Sequence, residues 1–330
     1  MSSEHDAADY EVTASDETTH SAWDNSLEPV QTVEPGDVVC FTCEDSTGGQ
    51  LGPDSTVADV AELDIDRVHT LTGPVAIEGV RPGDVLEVEL LAVDHQGWGY
   101  TLVLPGEAEL GVLADEFPEP ALYVWEFEGG DDGDVARFAN GIEVPLDPFP
   151  GIMGVAPAED GTHETFPPRS VGGNMDIKQL TAGSTLYLPV AVDGALFSVG
   201  DGHAAQGDGE VCGTGIEAPM TVTCRFDRRT DLSIDQPQFE TAGPFTPTGR
   251  DEPMYGTTGI ADDLLTATRA AVRNMIDHLV DERGLERSEA YVLCSVAVDL
   301  KINEVVNAPN WVVSAYLPES LFPADRRRST

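Results

Sequence analysis

Two segments of this chain repeat one device, and the device dictates β structure. Glu34-Pro35-Gly36-Asp37-Val38-Val39 and Arg81-Pro82-Gly83-Asp84-Val85-Leu86 each pass from a Pro-Gly-Asp turn into β-branched and aliphatic residues. Proline presets the backbone at the corner, glycine turns it, and the aspartate bonds the local backbone. The residues that follow are free to extend as a strand. After the second turn the chain reads Glu87-Val88-Glu89-Leu90, charged alternating with apolar, the period of a strand with one face buried. Thr181-Ala182-Gly183-Ser184 opens a third such unit, and Asp193-Gly194 between residues 186–192 and 195–199 predicts a hairpin with a tight primed turn.

Helix is scarce until residue 262. There Asp262 or Asp263 caps a segment whose apolar positions, Leu264/Leu265, Ala271/Val272, Met275/Ile276 and Leu279, recur with helical period. Gly284 supplies the stop. A second helix is predicted over 288–299, and 311–317, Trp-Val-Val-Ser-Ala-Tyr-Leu, reads as a closing strand. The fold class is therefore mainly β with a small C-terminal α+β module. The organisation read from this pattern is a flexible acidic arm over 1–19 and a β-rich N-terminal region over 20–170. A β region carrying a Gly/Asp/His-rich site follows over 171–260, and the α+β module occupies 261–330. Residues 127–170, rich in Gly, Pro and acids, read as long surface connections between short strands.

Charge narrows the function classes. Sixty acidic residues face 17 basic ones across 330 positions, a net charge of −43, and the only lysines are Lys178 and Lys301. Such self-repulsion is tolerable where salt screens it, which points to a salt-loving cytoplasm. Nucleic-acid binding needs a basic stripe, and the closest approach, Arg326-Arg327-Arg328, reads as a solvated tail. No apolar run is long enough to span a bilayer and no signal-peptide pattern opens the chain, so no membrane partner is expected and the location is read as cytoplasmic. Cys40, Cys43, Cys212, Cys224 and Cys294 form no disulfide or zinc framework and read as buried, reduced thiols.

The chemistry is concentrated in one stretch. Gly172-Gly173-Asn174-Met175-Asp176, then Gly200-Asp201-Gly202-His203-Ala204-Ala205-Gln206-Gly207-Asp208-Gly209-Glu210, then Glu217, combine carboxylates, an amide and a histidine among glycines that let the backbone approach a ligand. Carboxylates and an imidazole converging on such turns hold a metal ion or move protons. No Gly-Lys-Ser/Thr ending is present to make a phosphate cradle, and no Gly-x-Ser-x-Gly elbow is present. Asp208 reads as a turn residue, His163 as solvated and His278 as a surface residue of the first helix.

These motifs, with Pro150-Gly151-Ile152-Met153-Gly154-Val155-Ala156-Pro157, residues 196–210 and Ala308-Pro309-Asn310-Trp311, make the chain resemble the acetamidase/formamidase family over about residues 20–318. The resemblance implies a β-sandwich plus a β-barrel-like region, a homodimer or higher homo-oligomer, a divalent metal, and hydrolysis of short linear amides to acid and ammonia. His20 and Asp24 also resemble family positions, with no role assigned. On this reading Asp176, His203 and Glu210 hold the metal, zinc ahead of calcium because His203 brings a nitrogen donor to an oxygen-rich set. Glu217 shuttles the proton between an activated water and the leaving nitrogen, Asp201 orients the His203 imidazole, and Asn174 binds the amide or its oxyanion. The sequence leaves the division of roles among Asp176, Asp201, Asp208, Glu210 and Glu217 open. The alternatives are a γ-lactamase-type cyclic amide hydrolase and a non-catalytic β protein binding calcium through the same loops. A cysteine nucleophile would require Cys212 to meet one of the two lysines.

Overall fold

The computed structural model describes residues 8–104, 110–130, 133–242 and 254–323. Two six-stranded sheets pack face to face. One runs, in spatial order, Tyr10–Thr13, Val38–Cys43, Met220–Arg229, Val85–His95, Thr185–Pro189, Gln238–Glu240. The other runs Gly172–Asn174, Phe149–Val155, Phe197–His203, Leu71–Ile77, Thr19–His20, with Gln31–Val33 alongside Leu71–Ile77. Alternation explains the first sheet. Val88 and Leu90 point into the core, while Glu87 and Glu89 face outward and pair with Arg229 and Arg225 of the neighbouring strand at 2.6 and 2.8 Å. Both Pro-Gly-Asp turns close alike, Asp37 accepting from the Glu34 amide at 2.7 Å and Asp84 from the Arg81 amide at 2.8 Å. Between the sheets Phe41, Phe197 and Phe226 pack edge to face, with ring centres 5.0–6.3 Å apart. Such fully buried aromatics dominate the burial energy of a core of this kind.

A second body joins a four-stranded sheet (Trp98–Val103, Ala121–Gly130, Gly133–Arg137, Glu143–Pro145) to a C-terminal module. In that module helices α1 (Leu264–Arg283) and α2 (Arg287–Ala297) accompany the sheet Met254–Ala261, Trp311–Pro318, Asp299–Glu304. Asp263 caps α1 by accepting from the Thr266 amide at 2.8 Å, and Gly284 ends it in the left-handed region. Trp125, Met275, Ile276, Tyr291 and Leu317 share one core. The fold is mainly β, as its alternation predicts, and among the described residues the sheets stay open rather than closing into a barrel.

Several local expectations are corrected. Asp193-Gly194 does not close a hairpin, because Thr185–Pro189 and Phe197–His203 lie in opposite sheets. The two runs bury their side chains into one core from opposite sides, and each finds its pairing partners elsewhere. The link crosses the sandwich with Gly194, Ala195 and Leu196 all at positive φ. Phe149–Val155, inside the stretch read as surface connections, is a wholly buried strand whose glycines mask its period. Tyr10–Thr13, placed by sequence within the flexible arm, adds in parallel to Val38–Cys43. The second helix starts one residue earlier than predicted and ends at Ala297, so that Asp299 begins a strand. His278 is buried rather than on the surface, its ring stacked on Tyr255 at 3.7 Å. Four of the five free thiols are buried and Cys40 is half-buried. Arg326, Arg327 and Arg328 lie outside the described residues.

Candidate active site

The site is built where the sandwich meets the second body. Asp201 and His203 are carried by the strand Phe197–His203 itself, flanked by Phe149–Val155 and Leu71–Ile77. The His203 ring stacks on Phe149, 5.1 Å between centres and 16° between planes. Two glycines leave it room: a Cβ at Gly151 would stand 2.6 Å from His203 Nδ1, and one at Gly215 would stand 2.7 Å from Cδ2. Glu217 enters from the facing segment, its backbone bridging Tyr100 and His203. Asp176 follows the short strand Gly172–Asn174, with its carbonyl held by Gln206 Nε2 at 2.9 Å. Glu210 sits on a turn closed by its own amide donating to the Gly207 carbonyl.

Asp176, Asp201 and Glu210 all adopt positive φ, 49°, 54° and 42°. Non-glycine residues enter this region at a cost, and such outliers concentrate where geometry serves function. His203 Nε2 lies 2.9 Å from Glu217 Oε1 and 3.3 Å from Glu210 Oε1. One potential ligand atom from each of His203, Glu210 and Glu217 lies within 4.8 Å of the others, and the same holds for Asp176, Asp201 and His203. The structure thus brings together Asn174, Asp176, Asp201, His203, Glu210 and Glu217 around one cavity. Asp208 stands apart, accepting from Gln179 at 3.2 Å with Lys178 Nζ 3.9 Å away.

The electrostatics of this cluster are those of too much buried negative charge. Burial, reinforced by Glu210, pushes the Asp176 carboxyl well above its usual range, and burial with Glu217 does the same to Asp201. For His203, burial opposes the charged ring, but the Glu217 and Asp201 carboxylates prevail and raise it well above 6.5. Burial also opposes charge on Glu217, yet the His203 imidazolium beside it holds that carboxyl below its usual value. In the protein alone, protons therefore supply the missing positive charge. A divalent cation suits either of two groups that share His203, Asp176 with Asp201 or Glu210 with Glu217, so the predicted set Asp176, His203 and Glu210 is divided between them. Asp176 Oδ1, His203 Nδ1 and Glu217 Oε2 are buried without hydrogen-bond partners.

A cavity of about 670 Å³ opens over the cluster. It exposes residues absent from the predicted set. His69 lines it, buried, its ring tilted 56° to that of Phe166 with centres 4.5 Å apart and Nδ1 3.2 Å from Thr165 Oγ1. Burial pulls its ring down to about 4, so it is neutral at neutral pH. Ser46 and Thr47 also line the cavity, backed by a buried network in which Tyr100 donates to Asp45 at 2.8 Å and meets Ser46 Oγ at 2.9 Å. His69 has no glycine-acid neighbourhood like that of His203, and only its place in the cavity reveals it. Ser46 and Thr47 do lie between Glu44-Asp45 and Gly48-Gly49, a signal of the same kind that could have found them. Asn174 Nδ2 donates to the Phe166 carbonyl at 3.0 Å, leaving Oδ1 buried and unpartnered. His20 is held by Ser198 Oγ at 2.9 Å and the Ala22 carbonyl at 2.8 Å, a structural setting. His163 is half-buried, 3.0 Å from the Glu159 carbonyl. Cys212 does not meet a lysine: its thiol faces the Leu102 carbonyl, burial pushes it up to about 11, and Lys178 is bound to Asp299.

Several known proteins are similar to this chain over most of its length. The formamidase of Methylophilus methylotrophus is 29% identical over 93% of this chain and 90% of its own length. The acetamidase of Mycolicibacterium smegmatis is 29% identical over 72% of this chain and 71% of its own. Among solved structures, a gamma lactamase from Delftia acidovorans superposes with a TM-score of 0.88 at 28% identity, covering 97% of this chain and 95% of the other. An acetamidase from Bacillus halodurans gives 0.65 at 31% identity, covering 94% of this chain and 97% of the other. The profile of the Acetamidase/Formamidase family matches residues 7–164 and 158–324, together nearly the whole chain, and the chain belongs to that family.

Proposed function

We propose that this chain is an amidase, a hydrolase of non-peptide carbon–nitrogen bonds that converts short linear amides of the formamide and acetamide kind to carboxylic acid and ammonia. One observation carries the reading: a sizeable cavity holds His203 with four acidic side chains, and Asp176 Oδ1, His203 Nδ1 and Glu217 Oε2 among them are buried without hydrogen-bond partners. Asp176, His203 and Glu210 would hold a divalent cation, zinc ahead of calcium because of the imidazole. Bound there, the cation supplies Lewis acidity toward the amide carbonyl and toward water.

The remaining steps belong to the protein. Glu217, kept ionised by its neighbour, accepts a proton from the attacking water through Oε2 and returns it to the amide nitrogen, which leaves as ammonia. Asp201 fixes the orientation of the imidazole, and Asn174 Oδ1 accepts an N–H of the substrate amide. The gamma lactamase superposition, closer than that of the acetamidase, favours a small cyclic amide as the second reading. A purely calcium-holding role accounts for the acids but leaves His203 and the cavity unused.

We place the enzyme in a salt-rich cytoplasm, a reading supported by the charge of −43 and by described helices none of which is long and apolar enough to cross a membrane. Exposed Ile260, Ile302 and Val306 on the C-terminal module support a homodimer or higher homo-oligomer. The test is ammonia release from formamide and acetamide in high salt, before and after chelation. Activity that disappears with the metal and returns with zinc supports the assignment. Full activity after complete metal removal overturns it.

A further inference from the structure

We propose that the cavity also recognises the acyl side of its substrate, so that the preferred amides carry an uncharged, apolar acyl group longer than the methyl of acetamide. This inference rests on the amidase reading and deepens it. Beside the acids and His203 the cavity is lined by Leu63, Ile65, Val68, Leu102, Leu104 and Phe166, an apolar wall. Leu63 and Leu104 pack against a cluster of Leu51, Val60, Tyr100 and Leu102, which fixes that wall in place. Ile65, 51% exposed, extends this apolar lining toward solvent. At about 670 Å³ the space lies within the range that encloses drug-sized ligands, and a single methyl leaves most of the wall uncovered.

Charge decides which long acyl groups are admitted. An acyl group ending in a carboxylate would have to leave its charge unpartnered against Leu63, Ile65, Val68, Leu102, Leu104 and Phe166, and burying a charge without a partner is strongly unfavourable. An alkyl or aryl group meets no such penalty and gains burial with each added carbon. Burying one methylene is worth about fourfold in affinity, so each added methylene raises kcat/KM by up to about fourfold until the wall is covered.

The experiment measures kcat/KM for ammonia release along formamide, acetamide, propionamide, butanamide and hexanamide, with benzamide and succinamic acid added, using the metal-loaded full chain in high salt. The expected result is a rise from acetamide through hexanamide, turnover of benzamide, and none of succinamic acid. Leu63→Ser is expected to flatten the rise by making the wall polar. A flat or falling series beyond acetamide, with formamide and acetamide still hydrolysed, overturns this inference and leaves the amidase reading standing. No ammonia from any amide, with the protein folded by circular dichroism and its metal bound, overturns the amidase reading and this inference with it.

Discussion

Gly151→Ala tests the site with one carbon atom. The φ of Gly151 lies outside the left-handed region, so alanine adopts the same backbone and the effect is purely steric. The new Cβ would stand 2.5 Å from His203 Cε1 and 2.6 Å from both His203 Nδ1 and Asp176 Oδ1. Ordinary contact begins near 3.4 Å, so His203 must retreat by about 0.9 Å and Asp176 by about 0.8 Å, or the strand Phe149–Val155 is pushed aside. Overpacking of this kind costs about 1–3 kcal/mol of stability. A misplacement of about 1 Å among positioned reacting groups costs on the order of a hundredfold in rate. The assay pairs ammonia release from acetamide with metal content by elemental analysis and a thermal melt, all in high salt. The expected variant folds, melts lower, binds metal more weakly and loses about a hundredfold in kcat/KM. Wild-type rate and metal content would refute the placement of Asp176 and His203 as the pair that holds the cation.

Three further outcomes follow from the same geometry. Glu217→Gln keeps the shape of the side chain but removes the proton acceptor, so kcat falls by about 10²–10⁴-fold while KM changes little, as steady-state kinetics on acetamide will read. His69 stays neutral in the fold down to about pH 4, whereas in the unfolded chain it takes up a proton near 6.5. Unfolding therefore binds a proton between those values, and the stability present above pH 6.5 falls as the pH drops toward 4 by up to about 3 kcal/mol. Denaturant titrations across that window should show a shallower decline in His69→Gln than in the parent, and parallel profiles would exclude the buried neutral ring. With a charge of −43, the melting temperature should climb from about 0.1 M to about 2 M KCl as the Debye length shrinks from about 10 Å toward 3 Å or less, and a flat salt response by calorimetry would exclude charge repulsion as the limiting term.

Whatever depends on neighbours along the chain was legible before folding. The Pro-Gly-Asp corners, the alternation after Val85, and α1 with its Asp263 cap and Gly284 stop are local, because turn chemistry and periodicity act over a few residues. The types of residue at the site were equally visible, since Asp176, His203, Glu210 and Glu217 stand among glycines whose spacing marks a close backbone approach. Only the tertiary structure decided how these pieces meet. Asp193-Gly194 satisfies every local rule for a hairpin, yet the strands on either side belong to opposite sheets, because burying both inner faces outweighs pairing two neighbours in sequence. Phe149–Val155 hid behind its glycines, whose missing side chains erase a period while making room for His203. His69, more than a hundred residues before His203, joins the same cavity through packing against Thr165 and Phe166. A cavity is a property of surfaces brought together from distant parts of the chain, and no window along the sequence contains it.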